Sequence, residues 1–186
     1  MCINDGDTHN GPNEQAEAKF PLVVESYALV SDSGGAGRHR GGLGVERVVR
    51  ARTDLTMNTQ IERAHCKPWG LDGGLAGTGN AVALRRGGTW KTDFPNAKVL
   101  VAELKAGDAF RVRSGGGGGY GSPLDRPVDR VREDVRQGYV TATAAAELYG
   151  VVIDPHTHEV DAAATERQRA QRRAASVRPR SQVSQA

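Results

Sequence analysis

Short stretches of alternating hydrophobic and polar residues fill the first two thirds of the chain. In residues 45–53, Val49 and Ala51 fall on one side of an extended strand. Val48 falls on the other side, among charged residues, so this stretch predicts a strand with one solvent-exposed face. Similar β patterns lie at residues 21–30, 80–86, 98–104 and 109–113, and Gly87-Gly88 predicts a turn.

After Gly121 the hydrophobic period becomes that of an α-helix. Four apolar residues recur at helical spacing among charged residues, which predicts an amphipathic helix that ends at Gly138. These residues are Leu124, Val128, Val131 and Val135.

Capping residues predict two further helices. Thr141 suits the N-cap of a helix over residues 142–149, and Gly150 suits the left-handed position that follows it. Asp161 suits the N-cap of an Ala/Arg-rich helix from residue 162 to about 175, and residues 176–186 are expected to be disordered. The fold class is therefore α+β, mainly β with glycine-rich loops in the first two thirds, followed by short C-terminal helices.

Positive charge is concentrated at the C-terminal end. The 186 residues carry a net charge of +3, but residues 162–186 hold six arginines and one acid, Glu166. The rest of the chain is thus slightly acidic, and any affinity for nucleic acid would depend on this stretch alone. We do not expect nucleic acid as a partner.

The composition also bears on the cellular compartment in which the chain is expected. No run approaches the ~18 apolar residues that a membrane span requires, and the N-terminus lacks the basic and apolar regions of a signal peptide. We therefore expect a cytoplasmic chain without a membrane partner. Cys2 and Cys66 form no disulfide framework, so two unpaired thiols are expected.

Most of the 24 glycines cluster at residues 34–44, 70–79 and 115–121. Gly116, Gly118 and Gly121 formally match a dinucleotide-binding fingerprint, but Ser122-Pro123 follows where that motif requires a helix. The sequence therefore favours a crossing in which glycine backbones pack against each other, and it assigns no cofactor-binding residue.

Two arginines lie within the first glycine block. Arg38 and Arg40 could hold a carboxylate or a phosphate through bidentate hydrogen bonds beside a closely approaching backbone. The alternative is a tight connection between strands, in which the arginines are solvated or pair with acids. Spacing alone leaves both interpretations open.

Candidate metal ligands are sparse. His156-Thr157-His158 lies in a turn without an evident third ligand, so a solvated turn is favoured over a metal site. Residues 5–10 group two carboxylates, the His9 imidazole and the Asn10 amide. That loop could orient a polar substrate or contact a metal, or it could be an ordinary loop.

Taken in order, several of these segments resemble the hydantoinase B/5-oxoprolinase family. The strings SGGAGRHRGGLG and GGGGYGSPL carry most of the specificity. The resemblance runs from about residue 5 to 165, and it covers only the C-terminal third of a family member. The matching segments are residues 6–10, 18–21, 32–44, 68–71, 114–124, 138–140 and 149–151.

The resemblance implies an enzyme subunit that acts with others. Family members pair with an A-type subunit that binds ATP, and they open cyclic amides or, in the acetone and acetophenone carboxylases, carboxylate a substrate. ATP and Mg are implied through that A-type partner, and the rest of a B-type subunit is implied as a second partner. The family's metal ligands belong to its earlier part, so no metal ligand is assigned here.

For this chain the resemblance implies a hydrolase of a small cyclic amide that is inactive alone. His9, Asn10, Arg38 and Arg40 are the candidates for contact with a substrate or a subunit interface. Residues 1–161 are interpreted as the C-terminal portion of a hydantoinase B-like domain, and residues 162–186 as an arginine-rich helix and disordered tail.

Two alternatives remain at this stage. The chain could belong to an acetone/acetophenone-type carboxylase, or it could be a non-catalytic remnant that packs on a partner subunit. Its length suggests a fragment, a split subunit or a reading frame that starts at the wrong residue.

Overall fold

The structure is a computed structural model that describes residues 11–176. It divides into two compact units that alternate along the sequence. The first unit comprises residues 11–28, 46–62 and 81–113, and the second comprises residues 29–45, 63–80 and 114–176.

The first unit is mainly antiparallel β-sheet. Its elements are α1 Asn13–Lys19, β1 Leu22–Leu29, β2 Val45–Ala51, β3 Leu55–Gln60, β4 Ala81–Arg86, β5 Thr89–Lys91, β6 Lys98–Leu104 and β7 Ala109–Arg113. A 3₁₀ turn lies at Pro95–Ala97. A five-stranded sheet has the order β1-β2-β7-β4-β5, and β3 pairs with β6 in a separate two-stranded sheet.

Strand β7 lies at the centre of the larger sheet. Its Phe110 is opposite Val49 of β2 on one side and opposite Leu84 of β4 on the other. Ala109, Leu84 and Val49 are all buried, so small and branched apolar side chains form the core of this unit.

The predicted turn at Gly87-Gly88 is confirmed. It joins β4 to β5, and both glycines have positive φ, 55° and 84°. Two successive positive φ values suit a two-residue hairpin, because the resulting turn matches the twist of the paired strands.

The prediction of one solvent-exposed face for β2 is wrong at Val48. That residue is 9% exposed although it shares its face with Glu46 and Arg50. Strands β1 and β7 flank β2 on both sides, and Val48 is paired with Arg111 of β7, so Val48 lies inside the sheet and not on an edge strand.

The second unit holds the remaining helices. A 3₁₀ turn at Pro123–Asp125 precedes α2, Val128–Arg136; α3, Ala142–Tyr149; and α4, Ala162–Ser176. They enclose a core in which Val131, Ala145 and Val151 are fully buried and Tyr149 is 1% exposed.

Helix α2 begins later than the sequence predicts. Pro127 occupies its N-cap, and the preceding Arg126 is extended, with φ −66° and ψ 129°. Proline disfavours a helical conformation in the residue before it, so Leu124 lies in the 3₁₀ turn instead of the helix.

The predicted caps are confirmed. The Thr141 hydroxyl accepts a hydrogen bond from the Ala144 amide at 3.1 Å, and the Asp161 carboxylate accepts one from the Ala164 amide at 2.8 Å. Gly150 adopts the left-handed conformation, with φ 64° and ψ 30°.

The α+β class is confirmed, with β1, β2, β4, β6 and β7 near their predicted positions and with α1, β3 and β5 not predicted. Disorder is predicted for residues 176–186. Ser176 is instead the last residue of α4, and residues 177–186 lie outside the described range. Within residues 11–176, no helix has the length and apolar character of a membrane span.

Candidate functional site

Three glycine-rich segments of the second unit, residues 33–44, 68–79 and 114–121, lie side by side. We call them the glycine bundle. Their backbones exchange hydrogen bonds: Gly35 donates to Gly117 at 2.8 Å, Gly119 to Leu75 at 2.9 Å and Leu75 to Ala36 at 2.7 Å. Each segment therefore supports the other two.

Close approach of the backbones explains why glycine recurs. A β-carbon on Gly41 would overlap the Gly117 carbonyl, and one on Gly118 would overlap the Trp69 carbonyl. These glycines do not have positive φ, so contact distance, and not a turn conformation, requires them. This arrangement matches the glycine-packed crossing that the sequence predicts.

The segment that resembles a dinucleotide fingerprint does not fit a phosphate. The amides of Gly117, Gly119 and Gly121 donate to carbonyls of the bundle, at 2.9 to 3.0 Å. A phosphate-binding loop needs such amides free to point at the ligand. Nucleotide binding is therefore not assigned to this segment.

Arg40 lies inside an ion-pair network. Its Nε and Nη2 contact the two carboxylate oxygens of Asp134 at 3.2 and 3.3 Å, and its guanidinium lies 5.4 Å from the centre of the Tyr139 ring. The side chains of Arg40 and Asp134 are 15% and 9% exposed. This geometry matches the interpretation in which the arginine pairs with an acid.

Arg126 completes the network, and sequence reasoning did not identify it. Its Nη2 lies 2.7 Å from the Asp134 Oδ2, and its Nη1 donates to the Arg38 carbonyl at 3.1 Å. The buried Arg126 Nε has no hydrogen-bond partner among the described residues. The signal available in the sequence was Asp134, an acid next to the apolar face of the predicted helix.

Arg38 lies at a cleft of about 360 Å³ on the second unit. Unlike Arg40, it is exposed. The cleft is also lined by Arg126 and by Arg130 at the start of α2. The cleft-lining residues are Arg38, His39, Arg126, Pro127 and Arg130.

The other candidates of the sequence analysis are not brought to this cleft. His9 and Asn10 lie outside the described residues. His156 and Thr157 donate their amides to the Asp154 carboxylate at 2.8 Å, and these bonds lower the pKa of Asp154. The His-Thr-His segment is thus a turn organised by Asp154.

Residues 11–176 contain no group of three or more His, Cys, Asp and Glu side chains suited to hold a metal ion. Cys66 is an exposed free thiol, and Cys2 lies outside the described range.

Two arginines of α4, together with Gln168, donate to carbonyls of α3. Gln168 Nε2 donates to the Ala146 carbonyl at 2.7 Å, Arg169 Nε to the Tyr149 carbonyl at 3.1 Å, and Arg172 Nη1 to the Glu147 carbonyl. Terminal helix carbonyls lack intrahelical donors, and cations there also favour the helix dipole. Part of the arginine-rich stretch therefore caps the C-terminus of α3.

The chain belongs to the hydantoinase B/oxoprolinase family, whose model matches residues 1–123. Among its relatives is the B-type subunit of a putative D-/L-hydantoinase of Pseudomonas sp. strain NS671. The two chains are 30% identical over 155 residues, which cover 83% of this chain and 26% of that protein.

Two solved structures share the fold. Nucleotide-free acetone carboxylase, from a study of ATP-dependent acetone carboxylation, aligns with a TM-score of 0.76 and 28% identity, over 89% of this chain and 26% of that one. The ATP-dependent caprolactamase of Pseudomonas jessenii aligns with a TM-score of 0.74 and 28% identity, over 86% and 28%. The chain spans about a quarter of the length of some curated relatives it matches and about a tenth of the length of others.

Proposed function

We propose that this chain is part of the B-type subunit of an ATP-dependent enzyme that hydrolyses the C–N bond of a small cyclic amide. The supporting observation is its family membership, together with a structural likeness to a caprolactamase over 86% of its length. The chain does not act alone: it works with an A-type ATP-binding subunit and with the rest of a B-type subunit. The cytoplasmic location expected from the sequence stays a prediction.

ATP and Mg belong, in this proposal, to the A-type partner. The hydrogen bonds of the Gly117, Gly119 and Gly121 amides within the bundle support this division, because these three amides are not free to bind a phosphate. The second unit contributes a rigid surface with exposed cationic groups at Arg38.

Among the sequence candidates, Arg38 is best placed to contact a substrate or a neighbouring subunit. Its guanidinium is exposed while its backbone is held by Gly121 and Arg126. Arg40 supports the same surface through Asp134. His9 and Asn10 remain proposed contacts.

A carboxylase is the second candidate. Acetone carboxylase aligns with 89% of the chain, so the fold of the B-type portion suits either reaction. Hydrolysis and carboxylation both pass through an oxyanion, which an arginine can stabilise. A non-catalytic scaffold is the third candidate, and the experiment must distinguish it from the two enzymes.

The experiment is reconstitution. The chain is co-expressed with the remaining part of a B-type subunit and an A-type subunit, and the purified complex is assayed for two ATP-dependent reactions. One arm follows ring opening of hydantoin, 5-oxoproline and caprolactam, and the other follows carboxylation of acetone with bicarbonate. We expect ring opening. Carboxylation alone selects the second candidate, and a folded complex with neither activity supports the scaffold.

Arg38→Ala tests the site within that complex, with Arg52→Ala as a control at another exposed arginine. Loss of one charge-assisted contact predicts a fall in kcat/KM of about 10-fold or more for Arg38→Ala only. Unchanged turnover removes Arg38 from the site.

A further inference from the structure

The cleft at Arg38 has an unusual charge composition. Its volume is about 360 Å³, and its lining residues include three arginines and a histidine but no acid. Small-molecule sites are typically clefts of about 300 to 1,000 Å³. The cleft therefore combines a suitable size with a positive electrostatic potential.

The arginines of the cleft differ in what they already bind. Arg126 forms an ion pair with Asp134 at 2.7 Å, a carboxylate that it shares with Arg40. The exposed guanidinium groups of Arg38 and Arg130 make no hydrogen bond or ion pair within residues 11–176. Their donors are thus available to an external acceptor.

Both free arginines project from fixed backbone. The Arg38 amide donates to the Gly121 carbonyl at 3.1 Å, and its carbonyl accepts from Arg126 Nη1 at 3.1 Å. Arg130 lies in the first turn of α2, where its amide donates to the Pro127 carbonyl at 3.0 Å. Rigid placement lowers the entropic cost of binding a ligand.

The N-terminal end of α2 adds to the positive electrostatic potential of the cleft. This nine-residue helix has Pro127 as N-cap without a side-chain cap, and Pro127 itself lines the cleft. The N-terminal end of a helix carries a partial positive charge. Asp129 in the first turn offsets part of it, so the two arginines remain the main contribution.

We propose that this cleft binds the oxyanion of a small molecule, a carboxylate or a phosphate, with Arg38 and Arg130 as the ligating side chains. Guanidinium groups recognise both oxyanions through paired N–H donors. The assignment deepens the proposed function and rests on it in one respect, that the anion is a group of the substrate or product: hydrolysis of a cyclic amide breaks the C–N bond and leaves a carboxylate.

The test measures binding without turnover. The full 186-residue chain, or its co-expressed complex if the chain is purified only in that form, is titrated by calorimetry with inorganic phosphate and separately with acetate. The variants are Arg38→Gln, Arg130→Gln and, as a control on the same helix, Arg132→Gln. Circular dichroism checks that each variant keeps its secondary structure.

We expect saturable binding of one probe with a dissociation constant in the millimolar range or lower. Arg38→Gln and Arg130→Gln should each weaken it about 10-fold or more, because each removes a charge-assisted contact, and Arg132→Gln should change it less than about 2-fold. Preference for phosphate or for acetate identifies which oxyanion the cleft takes.

Two results overturn the assignment. One is absence of saturable binding for both probes to folded protein, and the other is an equal loss in all three variants, which indicates general charge attraction. Specific binding in a complex that opens no ring would leave the cleft assigned and reject the proposed enzyme. Ring opening without specific anion binding would support the proposed enzyme and reject the assignment of the cleft.

Discussion

The guanidinium of Arg40 contacts both carboxylate oxygens of Asp134, at 3.2 and 3.3 Å, across 94 positions of sequence. The pair joins the first segment of the glycine bundle to helix α2, and Arg126 binds the same carboxylate at 2.7 Å. One acid thus serves two arginines in a nearly buried position. Arg40 and Arg126 are therefore structural residues, whereas the guanidinium groups of Arg38 and Arg130 have free donors.

Asp134→Asn should lower the free energy of unfolding by about 3 to 5 kcal/mol, since it leaves Arg40 and Arg126 without a counter-charge in a nearly buried site. Urea denaturation measures the change. Asp129→Asn is the control on the same helix, because Asp129 is 89% exposed and its nearest arginine contact is 3.9 Å. Equal effects of the two substitutions would contradict a structural role for the network.

Gly41→Ala and Gly42→Ala should have different effects although the residues are neighbours. A β-carbon on Gly41 would overlap the Gly117 carbonyl, whereas one on Gly42 meets no atom within 4 Å. We expect Gly41→Ala to destabilise by about 1 to 3 kcal/mol or more, as overpacking does. Gly42→Ala should be neutral or slightly stabilising, because alanine restricts the unfolded chain.

Thermal unfolding of both glycine variants gives the comparison. Similar melting temperatures would show that the bundle tolerates a side chain at Gly41 and that close backbone contact does not select glycine there.

Arg169→Ala should destabilise by about 1.5 to 3 kcal/mol, because its charged side chain donates to the carbonyls of Tyr149 and Arg126, at 3.1 and 2.8 Å. Burial also lowers the pKa of Arg169, so the group sits partly out of water. Arg167→Ala, an exposed position on the same helix, should change stability by less than about 0.5 kcal/mol. Chemical denaturation of the two variants decides whether α4 acts as a cap.

Stability should fall as the pH rises from about 10 to about 12. Burial raises the pKa of Tyr149 to about 12, above its usual value of 10.0, so in this window the unfolded state loses its proton first. The contribution of this one tyrosine is about 2 kcal/mol between the two pH values. Below about pH 9 it is protonated in both states and has almost no effect on the slope.

The measurement compares urea denaturation of the wild type and Tyr149→Phe at several pH values. The variant should lose less stability over the window than the wild type. Parallel pH dependence would place the tyrosine in a more hydrated setting than the structure gives it.

Local patterns predicted several elements well. Thr141, Gly150 and Asp161 are caps because their hydrogen bonds and backbone angles depend on neighbours within about four residues. The exposed strand face was mispredicted at Val48, because its burial depends on strands that are distant in sequence.

In the candidate site, too, local features were predictable and contacts between distant segments were not. The glycine blocks, the family, and the positions of Arg38 and Arg40 within a glycine-rich segment can be recognised from the sequence alone. The pairing of Arg40 with Asp134, and the exposure of Arg38 beside Arg130, depend on how distant segments pack together. The two arginines are equivalent in local pattern, and an ion pair across 94 positions has no local signal.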